Sequence, residues 1–567
     1  MGNDKVKEIQ FEPFNKIGLC FSGGGYRATF FTLGILSYLD AISYKNKSLL
    51  KSVKALSTVS GGTLTGVAFA KALQEKDFDF KTFFKTFYNT FTPTNDVLLK
   101  SAVRKLSDDN IWKTNSHKNR SLINAFALTY SEMPLFKGAF DSFREESIHQ
   151  LENVCFNATD FSFGLTYRFQ NKGYFGNNPL FKYNQSAINA LKNQIQLGDV
   201  IASSSCFPVG FEPMVFPDDY IKIRDDKAYK ELKKSDLFKN GVGIMDGGIT
   251  DNQGIGSMVL INNRMKNTDN GALDLIIVND VGSYKMNPWE PDTRKIESNS
   301  TLQQAIDKIL KYFSFKLIYV LILFTGILII TLNFLNVFGE KASSNISVIG
   351  GFITGFGVLV TVLGYIVSKI KALQLSKLNT LFNKNVPEPI VDDVMSFKNL
   401  DISLIKVMIS NRISSSMTMI NDVFLKQIRR INYDYFYSKS EYKNKRITAT
   451  IYKLNGVETP YNKNTDYNQD IKPFPSDELK NISLIASKTP TTLWWDQNDI
   501  DNNRMESLIA CGQFTICYEL LEYILELKAD KESGISDFKE INKLESVLKT
   551  QWQAFNKNPL WLVNDLK

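Results

Sequence analysis

The chain has 567 residues, with 67 Lys+Arg against 59 Asp+Glu and a formal net charge of +8. The length leaves room for several domains, and a hydrophobic fraction of 43% with 12% aromatics excludes a disordered chain. Two histidines in the whole sequence leave little for zinc chemistry or for a mechanism that needs His in a fixed chain order. The five cysteines (Cys20, Cys155, Cys206, Cys511, Cys517) are odd in number and lack CxxC spacing, so no disulfide framework, metal or other cofactor is expected. No basic block alternates with aromatics as a nucleic-acid module would, so the excess of base reads as a solvated surface that could face anionic lipid. The charged N-terminus has no apolar stretch of the kind a cleaved signal peptide carries.

In chain order, Ile17 to Phe21 predicts a strand that ends in a glycine cluster, followed by a helix from about Arg27 to Tyr44. Val53 to Val59 predicts a second strand and a helix through about Gln74, which makes two parallel βα units. Phe80, Phe83, Phe84, Phe87 and Phe91 share one helical face, read as core, with a lid or lipid-contacting face as the alternative. Later strands are expected at Phe163–Phe169, Val242–Met245, Leu273–Val278 and Ile447–Tyr452, with surface loops at Lys439–Arg446 and Glu458–Asp470.

Between these lie two uncharged runs, Leu317–Phe338 and Ile346–Ser368. Each would span about 30 Å as a helix, the thickness of a hydrocarbon core, and backbone in lipid must bond internally. The short link Gly339 to Asn345 predicts an antiparallel transmembrane hairpin, with Gly351, Gly355, Gly357 and Gly364 allowing close helix contact in the second span. Lys308, Lys311 and Lys316 precede the first run, and Lys369, Lys371 and Lys377 follow the second, while the link holds only Lys341 beside Glu340. The positive-inside rule then places both soluble parts in the cytoplasm.

Three glycine-containing motifs carry the chemistry. Ser22-Gly23-Gly24-Gly25-Tyr26-Arg27 follows a strand and opens a helix, a setting in which backbone N–H groups converge on an anion. Gly23, Gly25 and Ala28 also fit a dinucleotide fingerprint, but that reading needs an acid at the end of the next strand, which closes Ser57-Thr58-Val59 instead. Ser60-Gly61-Gly62, after a strand and before a helix, has the setting of a nucleophile elbow, with Gly62 at +2 and the β-branched Thr58 where glycine is expected. A plain helix cap is the other reading of Ser60. Asp246-Gly247-Gly248 presents a carboxylate at a strand end, or is an ordinary Asp-Gly turn. His117 and His149 both precede Asp246, against the Ser…Asp…His order, so Asp246 is the candidate base for Ser60.

Taken together, these motifs resemble the patatin-like phospholipases. Gly23, Gly24, Gly25 and Arg27 match the family's oxyanion motif, Ser60 with Gly62 its nucleophile motif (Thr58 departing), and Asp246, Gly247 and Gly248 its D-G-[GA] motif. Asn157–Asp160 and Ala202-Ser203-Ser204 with Phe207-Pro208 resemble softer family segments, and the likeness resumes near Ile485–Leu525. The resemblance implies an α/β class, a three-layer α/β/α patatin-like fold interrupted by the two-helix transmembrane hairpin. It divides the chain into 1–300 (first part of the catalytic domain), 301–385 (hairpin and flanking helices), 386–530 (second part) and 531–567 (C-terminal helical tail). The implied activity is that of a membrane-anchored lipid acyl hydrolase with a Ser60–Asp246 dyad, an oxyanion hole at Gly23–Gly25 and Arg27, no metal and no cofactor. Membrane lipid is the implied partner, and the oligomeric state stays open. The alternative is a catalytically degenerate membrane scaffold or effector, for which Thr58 speaks.

Overall fold

A computed structural model describes residues 11–143, 150–177, 181–208, 210–268, 271–283, 289–292, 301, 304, 308, 316–335, 337, 346–363, 365–366, 400–457, 474–535 and 538–567. His149, the link Gly339–Asn345, Gly364, Lys311, Lys369, Lys371, Lys377 and the expected loop 458–470 lie outside them. The chain divides into two compact units: Met1–Met286 with Ile420–Lys567, and Asn287–Met419.

The first unit is built on a mixed sheet of eight strands among the described residues: β1 (Ile17–Phe21), β2 (Val53–Val59), β3 (Asn153–Asp160), β4 (Leu165–Gln170), β5 (Met214–Phe216), β6 (Val242–Asp246), β7 (Leu275–Asp280) and β8 (Arg446–Thr450). Their order is β8-β7-β1-β2-β3-β6-β5, with β4 also on β3. From β8 to β3 the strands are parallel, and β1 and β7 are short, largely apolar runs because both faces are covered. Leu19, Leu56 and Ile277 point into the larger core, formed with helices α1 (Gly25–Ala41) and α2 (Gly61–Ala72). The short helix α3 (Leu197–Ser204) also packs there. Cys20, Ala55 and Val278 point the other way, against α4 (Ile255–Lys266) and α5 (Leu425–Ser438). Helices therefore cover both faces of one sheet, an α/β fold.

Two features depart from the expected run of parallel βα units. β3 was not expected as a strand, because NVCFNATD carries polar residues on both faces. All eight of its residues are nevertheless buried. β4 follows it after a turn of four residues, too short for a crossover, so it can only pair antiparallel.

Phe80, Phe83, Phe84, Phe87 and Phe91 lie on the helix Phe80–Phe91 and are all buried in the larger core, so the stripe is a core face and not a lid. The long helix α6 (Arg504–Ala529) is apolar and long enough to cross a membrane, yet 89% of its most apolar window is buried inside the fold. It crosses α1 where two glycines meet. A Cβ on Gly34 would stand 2.0 Å from the Ile509 carbonyl oxygen, and one on Gly512 2.1 Å from that of Phe31. The helices Lys539–Lys557 and Trp561–Leu566 complete this layer and bury Leu548 and Trp552.

In the second unit the helices Leu317–Phe334 and Ile346–Leu363 are also long and apolar enough to cross a membrane, and only 11% of each window is buried. They lie antiparallel, with Gly326 against Thr354, Gly357 against Leu323 and Gly350 against Ile330, and the Asn333 amide donates to the Ser347 hydroxyl at 2.7 Å. The expected contact at Gly351 and Gly355 is not made: a Cβ on either would meet nothing within 4 Å. At about 3.6 residues per turn, 350, 354 and 357 form one face, and 351 and 355 are rotated off it.

The α1–α6 crossing joins segments on either side of the second unit, so it is a direct test of their shared core. Gly512→Ala should destabilise the full chain by about 1–3 kcal/mol, the usual cost of overpacking. Unfolding in detergent, followed by intrinsic fluorescence against denaturant, measures this. An unchanged midpoint would contradict the close approach.

Candidate active site

Strand β3 sets the geometry. One edge pairs with β4 along Cys155–Asp160. On the other edge, β2 runs parallel up to Val59↔Asn157, and β6 arrives antiparallel, ending at Asp246↔Ala158. Two strands thus end head to head on neighbouring residues of one edge. Ser60 follows the first and Asp246 closes the second. Side chains of β3 tie both ends: Asn157 Nδ2 donates to the Thr58 carbonyl at 2.9 Å and to Ser57 Oγ at 3.0 Å, and Thr159 Oγ1 donates to the Asp246 carbonyl at 2.7 Å. Neither residue had a role assigned from sequence, although Asn157–Asp160 stood out as a family-like segment.

Ser60 is the residue between β2 and α2, with φ 50° and ψ −121°, a conformation costing about 1–3 kcal/mol in a non-glycine residue. Its side chain makes no cap to the helix, which removes the simple capping explanation. The turn is tight enough that a Cβ on Gly61 would lie 2.0 Å from the Gly25 carbonyl oxygen, and one on Gly62 2.7 Å from that of Ser22. Thr58, standing where the motif expects glycine, does not crowd the elbow. Its methyl packs toward Gly66 one turn into α2, where a Cβ would come within 2.5 Å of it.

Asp246 is 6% exposed and Ser60 8%. Burial pushes the Asp246 carboxyl up to about 6, against two opposing influences: the Gly248 N–H, which donates to Oδ1 at 2.7 Å, and the Ser60 hydroxyl. A buried carboxylate beside a strained serine, with its proton affinity moved toward neutrality, has the properties of a general base.

The glycine turn lies against the elbow, since a Cβ on Gly23 would be 3.1 Å from Ser60 Cβ. Gly24 (φ 142°) and Gly25 (φ 54°) hold backbone conformations that side chains rarely adopt. The four residues expected at the oxyanion hole divide into two pairs. The Gly23 N–H is committed to the Asn252 carbonyl at 2.9 Å, and Arg27 Nη1 donates to Tyr452 Oη and to the carbonyls of Ser487 and Thr489 at 3.2–3.3 Å. Arg27 is half-buried, and its charge is spent on the segment beyond the second unit rather than on the glycine turn. Gly24 and Gly25 keep N–H groups with no acceptor among the described residues. Thr491 and Thr492 close over this turn: the Tyr26 N–H donates to the Thr492 carbonyl at 2.8 Å, and a Cβ on Gly25 would strike both threonine carbonyls at 2.3 Å. Asn252 also lines the site, its Oδ1 2.4 Å from a Cβ on Gly23 and 2.8 Å from one on Gly248. It lies four residues beyond Gly248, and nothing in the sequence alone marked it.

His117 stands among Lys118, Lys222 and Arg224. Burial and these cations hold its imidazole down at about 4, and neither Ser60 nor Asp246 is among the groups that act on it.

An α/β domain with a serine elbow facing a buried strand-end carboxylate and a glycine turn defines a class of acyl hydrolases. Residues 19–259 match the family model for patatin-like phospholipase, and over those residues the chain carries a patatin-like phospholipase domain. No curated protein matches the chain.

The raised Asp246 carboxyl makes stability depend on pH. The folded state keeps this proton up to about 6, whereas an unfolded Asp loses it near 3.9. Folding stability therefore falls as pH rises from about 4 to about 6, by roughly 3 kcal/mol in all, and the cost persists above that window. Asp246→Asn should be more stable than wild type at pH 8, by about 1–3 kcal/mol, with the advantage vanishing near pH 4. Denaturant unfolding at the two pH values checks this. Equal stability at pH 8 would mean that the carboxylate is not burdened by burial.

Proposed function

We propose that the protein is a membrane-anchored lipid acyl hydrolase that cleaves carboxylic ester bonds of phospholipids or related lipids through a Ser60–Asp246 dyad. The observation that carries the reading is the head-to-head meeting of β2 and β6 on β3, which sets the Ser60 hydroxyl toward a buried carboxylate. In the reaction Asp246 takes the hydroxyl proton as Ser60 Oγ attacks the ester carbonyl. The free N–H groups of Gly24 and Gly25, at the start of α1, receive the negative charge of the tetrahedral intermediate. Asp246 then gives the proton to the departing alcohol, and water repeats the sequence to release the fatty acid. Arg27 and Gly23 serve this site by holding the glycine turn in place.

The anchor is the antiparallel pair Leu317–Phe334 and Ile346–Leu363, whose apolar side chains are largely exposed. A helical pair returns the chain to the side it left, which is compatible with a catalytic unit formed from both flanks. The lysines before and after the pair favour a cytoplasmic catalytic unit acting on the facing leaflet. Membrane lipid is then the partner, held at high local concentration.

Fatty-acid release from phospholipid vesicles by the full chain tests the assignment. Ser60→Ala and Asp246→Asn should each lower turnover by several orders of magnitude, and His117→Ala should retain it. Undiminished release by Ser60→Ala would refute the nucleophile. A dead His117→Ala of normal stability would bring a histidine back into the mechanism.

A further inference from the structure

The strained backbone of Ser60 needs something to hold it, and the hydroxyl groups behind it form a chain whose proton directions can be worked out. The Ser60 N–H donates to Ser204 Oγ at 2.9 Å. Ser204 Oγ lies 2.6 Å from the Asn157 carbonyl oxygen, which can only accept, so the single Ser204 hydroxyl hydrogen goes there. Its lone pairs are left for the Ser60 N–H and for Thr63 Oγ1, 2.8 Å away, so Thr63 must donate. With its hydrogen spent, Thr63 can only accept from Thr58 Oγ1, also at 2.8 Å. The relay runs one way: Thr58 to Thr63 to Ser204 to the Asn157 carbonyl. Thr58, Thr63, Ser204 and Asn157 are each 0% exposed, so bulk water does not reach the relay and a missing link leaves a buried polar group.

Ser204 also reaches the other half of the site. It ends α3, where carbonyls lack helical partners, and its carbonyl accepts the Gly247 N–H at 3.3 Å, while the Cys206 carbonyl accepts the Asp246 N–H at 2.9 Å. One short segment therefore holds the backbone of Ser60 through a hydroxyl and the backbone around Asp246 through two carbonyls.

We infer that Ser204 is the positioning residue that sets Ser60 against Asp246, and that Thr58, where glycine is expected, is the first donor of the relay that keeps the Ser204 lone pairs aimed at the Ser60 N–H. The inference rests on the dyad reading for its catalytic consequence but not for its structural one. Ser204→Ala leaves the Ser60 N–H and the Asn157 carbonyl buried without partners, and a nucleophile displaced by about 1 Å loses about 100-fold in rate. Thr58→Val keeps the shape and removes the donor, an effect of about fivefold, the worth of one ordinary hydrogen bond. Thr58→Ser restores the hydroxyl.

The test uses the full chain in detergent with a short-chain p-nitrophenyl ester, together with hydrogen exchange of peptides containing Ser60. Ser204→Ala should lower kcat by about 100-fold with KM within threefold, and speed exchange at Ser60. Thr58→Val should lower kcat about fivefold, and Thr58→Ser should recover most of that loss. If Ser204→Ala does not fold, the Thr58 pair decides. Thr58→Val and Thr58→Ser with equal kcat, or Ser204→Ala with wild-type kcat and exchange, would overturn the relay. If Ser60→Ala hydrolyses the ester as fast as wild type, the dyad reading fails instead, and the exchange of Ser60 in Ser204→Ala still decides whether the relay holds the elbow.

Discussion

Two strands ending head to head on one edge of Asn153–Asp160 is the constraint on which the rest of the site depends. The separation of Ser60 from Asp246 is thereby set by hydrogen-bond register, at Asn157 and Ala158, rather than by side-chain reach. Register in a sheet is discrete, and a slip of one residue would turn every side chain to the other face. The buried polar groups of this strand make a slip costlier still, because Asn157 and Thr159 bond the two strand ends and, beyond them, the Ser257 and Thr250 hydroxyls. A site built this way is rigid before substrate arrives.

That rigidity holds two unfavourable features in place. Ser60 sits at φ 50°, and Asp246 is buried with no cation beside it among the described residues, its carboxyl raised to about 6. Both would relax if the surrounding backbone allowed it. What prevents this comes from far apart in the chain: the elbow is pinned by Ser204, the glycine turn by Asn252, and the same turn from above by Thr491 and Thr492. The part of the chain after the second unit is thus an integral wall of the site, through Arg27 as well as through the α1–α6 crossing.

Much of this was legible in the amino-acid sequence, for physical reasons. Ile17–Phe21 reads as a strand because a parallel strand buried on both faces is a short apolar run, Val53–Val59 because its valines, Ala55 and Leu56 outweigh Lys54, and glycines mark the turns that follow both. Asn153–Asp160 hid because Asn153, Asn157, Thr159 and Asp160 break its apolar pattern; Val154, Phe156 and Ala158 pack in the larger core, and tertiary hydrogen bonds bury the polar residues with them. The glycine motif placed four residues at an anion site, but a motif does not tell which N–H is already spent, and Gly23 and Arg27 are. Arg504–Ala529 is long and apolar enough to cross a membrane, but its charged residues, among them Glu519 and Glu522, and its burial both separate it from Leu317–Phe334. Thr58 read as a defect in the elbow until Gly66, too remote for any motif, was seen to make room for it.

The central claim is that Ser60 is activated by a buried Asp246 whose carboxyl has been moved to about 6. The pH dependence of fluorophosphonate labelling, read as the rate of modification of the Ser60 peptide by mass spectrometry, tests it most directly. The account predicts labelling confined to Ser60, with a rate that rises through a single ionisation near pH 6, levels off above it, and is lost in Asp246→Asn. A rate that is flat through that range, or that survives in Asp246→Asn, would contradict it.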